Sequence, residues 1–166
     1  MDFNIYNNAN SIPFSLKNFE TYGRVLNVID GNTLSIVLPL FNKYFYKFSV
    51  RLDGIDTPEI HSDNPIIKEK GLQAKYRLLE LICSDKKINE IICISNEKIK
   101  KIFDEKSYLV YLKCSDFDKY GRLLAKVYLT RESKNDLSYI LIDEKLAYSY
   151  DGGKKLSDNE IISKLF

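Results

Sequence analysis

The chain has 166 residues, of which 45% are hydrophobic and 29% are charged, as in one globular domain, so wholesale disorder is excluded. The 25 lysines and arginines exceed the 23 aspartates and glutamates by two. A net charge of +2 excludes a uniformly basic coat for nucleic acid, but it allows a local basic site.

The first 18 residues, in which Pro13 interrupts any regular pattern, are predicted to be a flexible or loosely docked tail, and residues 19–166 a single domain. Alternating apolar residues then predict three strands, over residues 22–29, 33–38 and 44–52. The turn Asp30-Gly31-Asn32 separates the first two strands. Apolar residues at helical spacing predict a helix over residues 67–83.

The second half of the domain contains a predicted insertion at about residues 84–106. Within it, residues 88–94 are compatible with a strand and residues 96–104 with a short helix capped by Ser95 or Asn96. Two clearer strands, at 108–114 and 123–129, enclose a hairpin loop. Ser133-x-x-Asp136 and Ser157-x-x-Glu160 are typical of helix starts and predict two further helices.

Three strands, a helix and two strands are the element order of a five-stranded OB-fold barrel. We therefore predict an α+β fold with such a barrel and about three helices. The three cysteines, Cys83, Cys93 and Cys114, form no C-x-x-C pair, and with a single histidine they offer too few ligands for zinc. We expect them to be buried and reduced.

The sequence shows no charged leader followed by an apolar run, and no segment near the ~18 apolar residues that a membrane span needs. We therefore expect an intracellular protein without a membrane anchor. We also expect it to act as a monomer.

The most informative stretch runs from Arg51 to Glu59. Arg51 ends the third strand on its polar face, and Asp56, Thr57 and Glu59 follow within eight residues. A guanidinium beside hard oxygen ligands suits phosphodiester chemistry, because a cation held by the oxygens and the arginine together stabilise charge on phosphate. The alternative is a surface turn in which Arg51 pairs with Asp53.

Four motifs, in chain order, resemble those of the staphylococcal nuclease family: Asp30-Gly31-Asn32-Thr33, Arg51, Asp56-Thr57-Pro58-Glu59 and Asp118-Lys119-Tyr120-Gly121-Arg122. The resemblance covers roughly residues 20–150. It implies a calcium-dependent endonuclease that cuts DNA and RNA with little sequence specificity and leaves 3′-phosphate ends.

The resemblance also implies catalytic roles. Arg51 and Arg122 would clamp the scissile phosphate and stabilise the five-coordinate transition state, since planar guanidinium groups suit pairs of phosphate oxygens. Glu59 would orient or deprotonate the attacking water.

The implied metal ligands are Asp56 and the backbone carbonyl of Thr57, with Asp30 contributing through water. Asn32 departs from the family pattern, which has an aspartate ligand there. Because calcium affinity depends on ligand charge, Asn32 predicts weaker metal binding or a preference for another divalent cation.

Substrate contacts are implied as well. Lys119 and Tyr120 would bind a neighbouring phosphate, so binding would be tolerant of sequence. Ala147-Tyr148-Ser149-Tyr150 resembles the family's base-stacking segment, with Tyr148 as the first candidate and Tyr150 as the second. The alternative is that both rings pack against the barrel.

Asn32 also motivates a competing hypothesis, a non-catalytic barrel that binds nucleic acid or a protein partner. Degenerate domains of this kind characteristically lack the arginine and glutamate positions. Here Arg51, Glu59 and Arg122 are all present.

Overall fold

The computed structural model describes residues 2–41, 44–84 and 95–166. In chain order the elements are β1 (Glu20–Val28), β2 (Thr33–Leu40), β3 (Tyr44–Leu52), β4 (Ile55–Asp56), α1 (Pro65–Cys83), α2 (Asn96–Glu105), β5 (Tyr108–Phe117), β6 (Leu123–Tyr128), α3 (Leu137–Asp143), β7 (Tyr148–Ser149) and α4 (Asp158–Leu165). A closed barrel forms in the order β1-β2-β3-β6-β5, and β4 pairs with β7 separately. The predicted α+β barrel fold is confirmed, with four helices in the described ranges instead of about three.

The position of the site follows from the pairing of β3 with β2 and with β6. β3 runs antiparallel to β2 and parallel to β6, which closes the barrel. Arg51 pairs with Thr33 on one side and with Leu124 on the other. The turn before β2, the end of β3 and the start of β6 therefore meet at one end of the barrel.

The barrel is filled by the apolar residues that alternate along its strands. Leu34, Ile36 and Leu38 of β2 are fully buried, as are Val50 and Leu52 of β3. Each such side chain contributes about 1.5–3 kcal/mol relative to an exposed one. The predicted strand over residues 44–52 is confirmed, but the burial does not reach its start, where Tyr44 pairs with Leu40 and is 61% exposed.

Helix α1 lies against the segment that follows β4. Asn64 caps its first turn by accepting a hydrogen bond from Ile66 N (3.1 Å), and Pro65 begins it. Gly71 lies so close to the Pro58 carbonyl oxygen that a side chain there has no room. This contact fixes the backbone that leads from Asp56 to Glu59.

The helix starts were predicted with one error. Ser95 caps α2, and Ser157 and Glu160 form the capping box of α4, as predicted. Helix α3 instead begins after Asp136, whose carboxylate accepts from Tyr139 N at 2.7 Å. Ser133 is not its cap, because its hydroxyl bonds Thr130 N in the preceding turn. The strand considered for residues 88–94 lies outside the described residues.

Three further expectations concern the cysteines, the N-terminal tail and membrane-spanning helices. Cys83 and Cys114 are buried, as predicted, and Cys93 lies outside the described ranges. Residues 2–15 are exposed, whereas Leu16 is 6% exposed and belongs to the core; the flexibility of this tail stays a prediction. Of the helices in the described residues, none combines the length and apolar character needed to cross a membrane.

Candidate active site

Eight of the eleven predicted site residues line one cleft of about 510 Å³ at the end of the barrel where β2, β3 and β6 meet. These eight are Asp30, Asn32, Arg51, Asp56, Thr57, Glu59, Tyr120 and Arg122. An adjoining cleft of about 530 Å³ shares Arg51, Tyr120 and Arg122 with the first and adds Lys119 and Tyr150. The remaining predicted residue, Tyr148, lines neither of these two clefts.

Arg51 is buried at the floor of the cleft and is 7% exposed. Its Nη2 donates to Asp56 Oδ1 at 2.7 Å and to the Ile55 carbonyl at 3.1 Å, while Nη1 donates to Asn32 Oδ1 at 3.3 Å. Asp53 binds Ser115 instead, through a 2.7 Å hydrogen bond from the hydroxyl. The alternative of a surface Arg51–Asp53 pair is therefore wrong, and Arg51 belongs to a buried ion pair.

The Asp56 carboxylate accepts four hydrogen bonds or ion pairs. Oδ1 accepts from Arg51 and from Asn32 Nδ2 at 2.9 Å, and Oδ2 accepts from the Tyr148 hydroxyl at 3.0 Å and from Lys155 Nζ at 3.2 Å. Burial acts to raise the pKa of Asp56, but the Arg51 hydrogen bond and the charges of Lys155 and Arg51 outweigh it and lower the pKa. Asp56 is therefore ionised at neutral pH.

The position of Asp56 follows from the small β4–β7 sheet, in which Asp56 pairs with Tyr148. This pairing corrects the order of the two aromatic candidates. Tyr148 is 3% exposed, so its ring has no free face for a base, and its hydroxyl holds Asp56. Tyr150, two residues later, lines the adjoining cleft, with the Arg51 guanidinium 5.6 Å from its ring centre.

The donor groups around Asp56 decide how well the site fits calcium. Calcium takes six to eight oxygen ligands, chiefly carboxylates and carbonyls. Here a guanidinium, an amide N–H, a hydroxyl and an ammonium point at the two Asp56 oxygens, and Asn32 Oδ1 accepts from Arg51 and from the Thr33 hydroxyl. Within the described residues no group of three His, Cys, Asp or Glu side chains is placed to hold a metal ion. The residues present do not fit calcium as they are arranged.

Asp30 has a local role in the turn before β2. Its Oδ1 accepts from the backbone N–H of Asn32 at 3.0 Å, which is the hydrogen bond expected of an aspartate that stabilises a tight turn. This bond holds the Asn32 backbone, and the Asn32 carbonyl in turn accepts from Leu52 N at 2.8 Å. The turn and the end of β3 are thereby tied together.

The loop before β6 places Arg122 at the cleft. Asp118 Oδ1 accepts from the backbone N–H groups of Tyr120 and Arg122, both at 2.9 Å, and Oδ2 accepts from Arg122 Nε at 2.7 Å. Gly121 has φ +77°, which favours glycine in this turn. The exposed Tyr120 ring has its centre 5.1 Å from Lys119 Nζ and 5.5 Å from the Arg122 guanidinium.

Replacing Asp118 with asparagine tests how this loop is held. Burial raises the pKa of Asp118, but the backbone and side-chain hydrogen bonds from Arg122 lower it below its ordinary 3.8. A carboxyl group whose pKa is lower in the folded state stabilises the fold at pH values above its unfolded-state pKa. That stabilisation is lost as the pH falls through the folded-state pKa. We expect Asp118→Asn to lower the free energy of unfolding by about 1–2 kcal/mol at neutral pH.

The difference between wild type and Asp118→Asn should shrink as the pH falls from neutral through the acid range in which the carboxylate becomes protonated. Urea unfolding measured across this range checks it, with Asp116→Asn, an exposed aspartate near the end of β5, as the control. A difference that stays constant with pH contradicts the role assigned to the carboxylate.

Lys155 is a site residue that the sequence analysis missed. Its Nζ lies 2.5 Å from Glu59 Oε1 and 3.2 Å from Asp56 Oδ2, and its side chain lines both clefts. Burial acts to lower the pKa of Lys155, but its bonds to Glu59 and Asp56 raise it overall, so it is a cation at neutral pH. The only signal in the sequence is a lysine pair after Gly152-Gly153, which by itself indicates a surface loop.

Similarity to known proteins includes the part of the chain that forms the site. The family model described as staphylococcal nuclease homologue matches residues 49–164, which include Arg51, Glu59, Arg122 and Lys155. An uncharacterized protein of the archaeon Methanocaldococcus jannaschii is 30% identical over 161 residues, which cover 87% of this chain and 64% of that protein. The chain thus spans less than two thirds of that relative's length.

Proposed function

Because this chain belongs to the family of staphylococcal nuclease homologues, we propose that it is a nuclease that hydrolyses phosphodiester bonds of DNA and RNA. The observation that supports this most strongly is that Arg122 joins Arg51 and Glu59, which are distant from it in sequence, in one cleft of about 510 Å³. Two guanidinium groups and a carboxylate that line the same cleft suit a phosphate and an attacking water.

In the proposed reaction Arg51 and Arg122 donate hydrogen bonds to the non-bridging oxygens of the scissile phosphate. Arg51 is pre-organised by its buried pair with Asp56, and Arg122 by Asp118. Both guanidinium groups stabilise the extra negative charge of the five-coordinate transition state, and neither reorganises during the reaction.

The carboxylate of Glu59 orients the attacking water and accepts its proton. The water oxygen forms a bond to phosphorus, the bond from phosphorus to the 5′ oxygen breaks, and that oxygen takes a proton from solvent. The products are a 3′-phosphate end and a 5′-hydroxyl end. Glu59 then returns its proton to solvent.

The adjoining cleft supports binding of the strand beside the scissile phosphate. Lys119 supplies a positive charge for a neighbouring phosphate, and the exposed Tyr120 and the Tyr150 ring offer aromatic faces to bases. Such contacts read the backbone and the π-face of any base, so the proposed enzyme has little sequence specificity.

The test is to incubate the purified chain with end-labelled single-stranded DNA and RNA, in chelator and separately with calcium, magnesium and manganese. We expect short products whose 3′ ends carry phosphate, detected by the change in gel mobility after phosphatase treatment. Absence of cleavage under all four conditions overturns the proposed function.

If cleavage is absent, a salt-sensitive binding assay on the same oligonucleotides separates the competing hypothesis. The polar contacts that saturate Asp56 are the observation that favours it, because they stabilise the site without any substrate. Binding that weakens with salt, without cleavage, identifies a non-catalytic nucleic-acid-binding barrel.

A further inference from the structure

The ammonium group of Lys155 bridges two carboxylates that belong to the active-site loop. Its Nζ lies 3.2 Å from Asp56 Oδ2 and 2.5 Å from Glu59 Oε1. A cation between these two side chains neutralises their repulsion and holds Glu59 at the edge of the cleft. The position beside Asp56 is the one that the family resemblance assigns to a metal ion.

The segment that carries Lys155 is anchored on both sides. Before it, Tyr150 N donates to the Gly54 carbonyl at 2.9 Å and the Tyr150 hydroxyl to the Gly153 carbonyl at 2.8 Å. After it, the α4 capping box begins, and Ile161 of α4 packs with Ile67 of α1. Lys155 is therefore presented to Asp56 by the fold.

The charged groups around Asp56 are consistent with Lys155 occupying the cation position. Asn32 removes a negative charge from the position where the family pattern has a metal-binding aspartate, and its Nδ2 donates to Asp56 at 2.9 Å. Lys155 adds a positive charge at the same carboxylate. A divalent cation entering here meets two charged groups, Arg51 and Lys155, and has to displace at least one of them.

We propose that the ammonium group of Lys155 takes the place of the divalent cation, so that this site binds and cleaves phosphodiesters without a metal ion. The cleavage step of this proposal rests on the proposed function, whereas the placement of Lys155 at the cation position does not. With Arg51 and Arg122, Lys155 gives the cleft a third fixed cation. An ammonium is a compact point charge with three N–H donors, which reaches a phosphate oxygen without a shell of oxygen ligands.

Calcium binding, measured by isothermal titration calorimetry on the whole chain, tests the placement without reference to cleavage. We expect no binding by wild type at millimolar calcium. The double variant Asn32→Asp/Lys155→Met restores a carboxylate and removes the ammonium, so it should bind calcium at least about tenfold more tightly than wild type. Lys154→Met, which removes the neighbouring exposed lysine, is the matched control and should behave as wild type.

Calcium binding by wild type as tight as by the double variant overturns the proposal, because Lys155 then moves aside for the metal. Binding by neither protein overturns it too, provided that circular dichroism and thermal melting show the double variant folded. Absence of calcium binding by both proteins is the result expected if Lys155 only forms a structural ion pair that holds the C-terminal segment in place.

Cleavage supplies a separate readout. Lys155→Met should cut single-stranded DNA in chelator at least about tenfold more slowly than Lys154→Met, whereas equal rates overturn the proposal. If wild type cuts nothing under any condition, the nuclease assignment fails, and the calorimetry still decides whether Lys155 holds the cation position.

Discussion

Arg122→Ala is expected to lower the rate of phosphodiester cleavage by about 10²- to 10³-fold, the usual loss when one pre-organised donor to a developing oxyanion is removed. The Arg122 side chain is 28% exposed and lies at the end of the barrel, outside its apolar core, so we expect the variant to remain folded. The loss should fall mainly on kcat, because the arginine acts most strongly on the transition state.

The control for this variant is Arg131→Ala. Arg131 is exposed, and its guanidinium lies 5.8 Å from the Tyr111 ring instead of lining the cleft. Single-turnover cleavage and thermal melting of both variants check the prediction. Equal rates for the two variants contradict a catalytic role for Arg122.

Arg51→Met is expected to damage stability as well as activity. Arg51 is 7% exposed and forms a 2.7 Å ion pair with Asp56, which is 2% exposed. Removing one member of a buried pair leaves the other charge short of a partner, and the free energy of unfolding should fall by about 3 kcal/mol. Cleavage should fall by about 10²-fold or more in the protein that remains folded.

A double-mutant cycle with Asp56→Leu isolates the pair. If the two side chains act together, the double variant loses less stability than the sum of the single variants, by about 0.5–3 kcal/mol. Urea unfolding of the four proteins measures it. Simple additivity contradicts the buried pair as the structural centre of the site.

The barrel and the gathering of the motifs could be predicted because both depend on local patterns. Alternation marks the strands, and Asp30, Arg51 and Arg122 each lie next to a strand end. In an OB-fold barrel these strand ends lie close together, and here β3 and β6 pair in parallel, with Arg51 opposite Leu124.

The parts that were missed depend on contacts between distant segments. The strands β4 and β7 have two residues each, too few to show any period, and yet their pairing turns Tyr148 inward and leaves Tyr150 at the cleft. Lys155 reaches Asp56 only because β7 and α4 are docked on either side of it. Nothing in the spacing of Lys154 and Lys155 distinguishes the one that enters the site.

The most direct measurement is the single-turnover rate at which wild type cleaves one labelled single-stranded DNA, compared between excess chelator and millimolar calcium. The account predicts cleavage in chelator, with a rate within about threefold of that in calcium, because the cations of the site belong to the chain itself. Cleavage that appears only when calcium is added contradicts it.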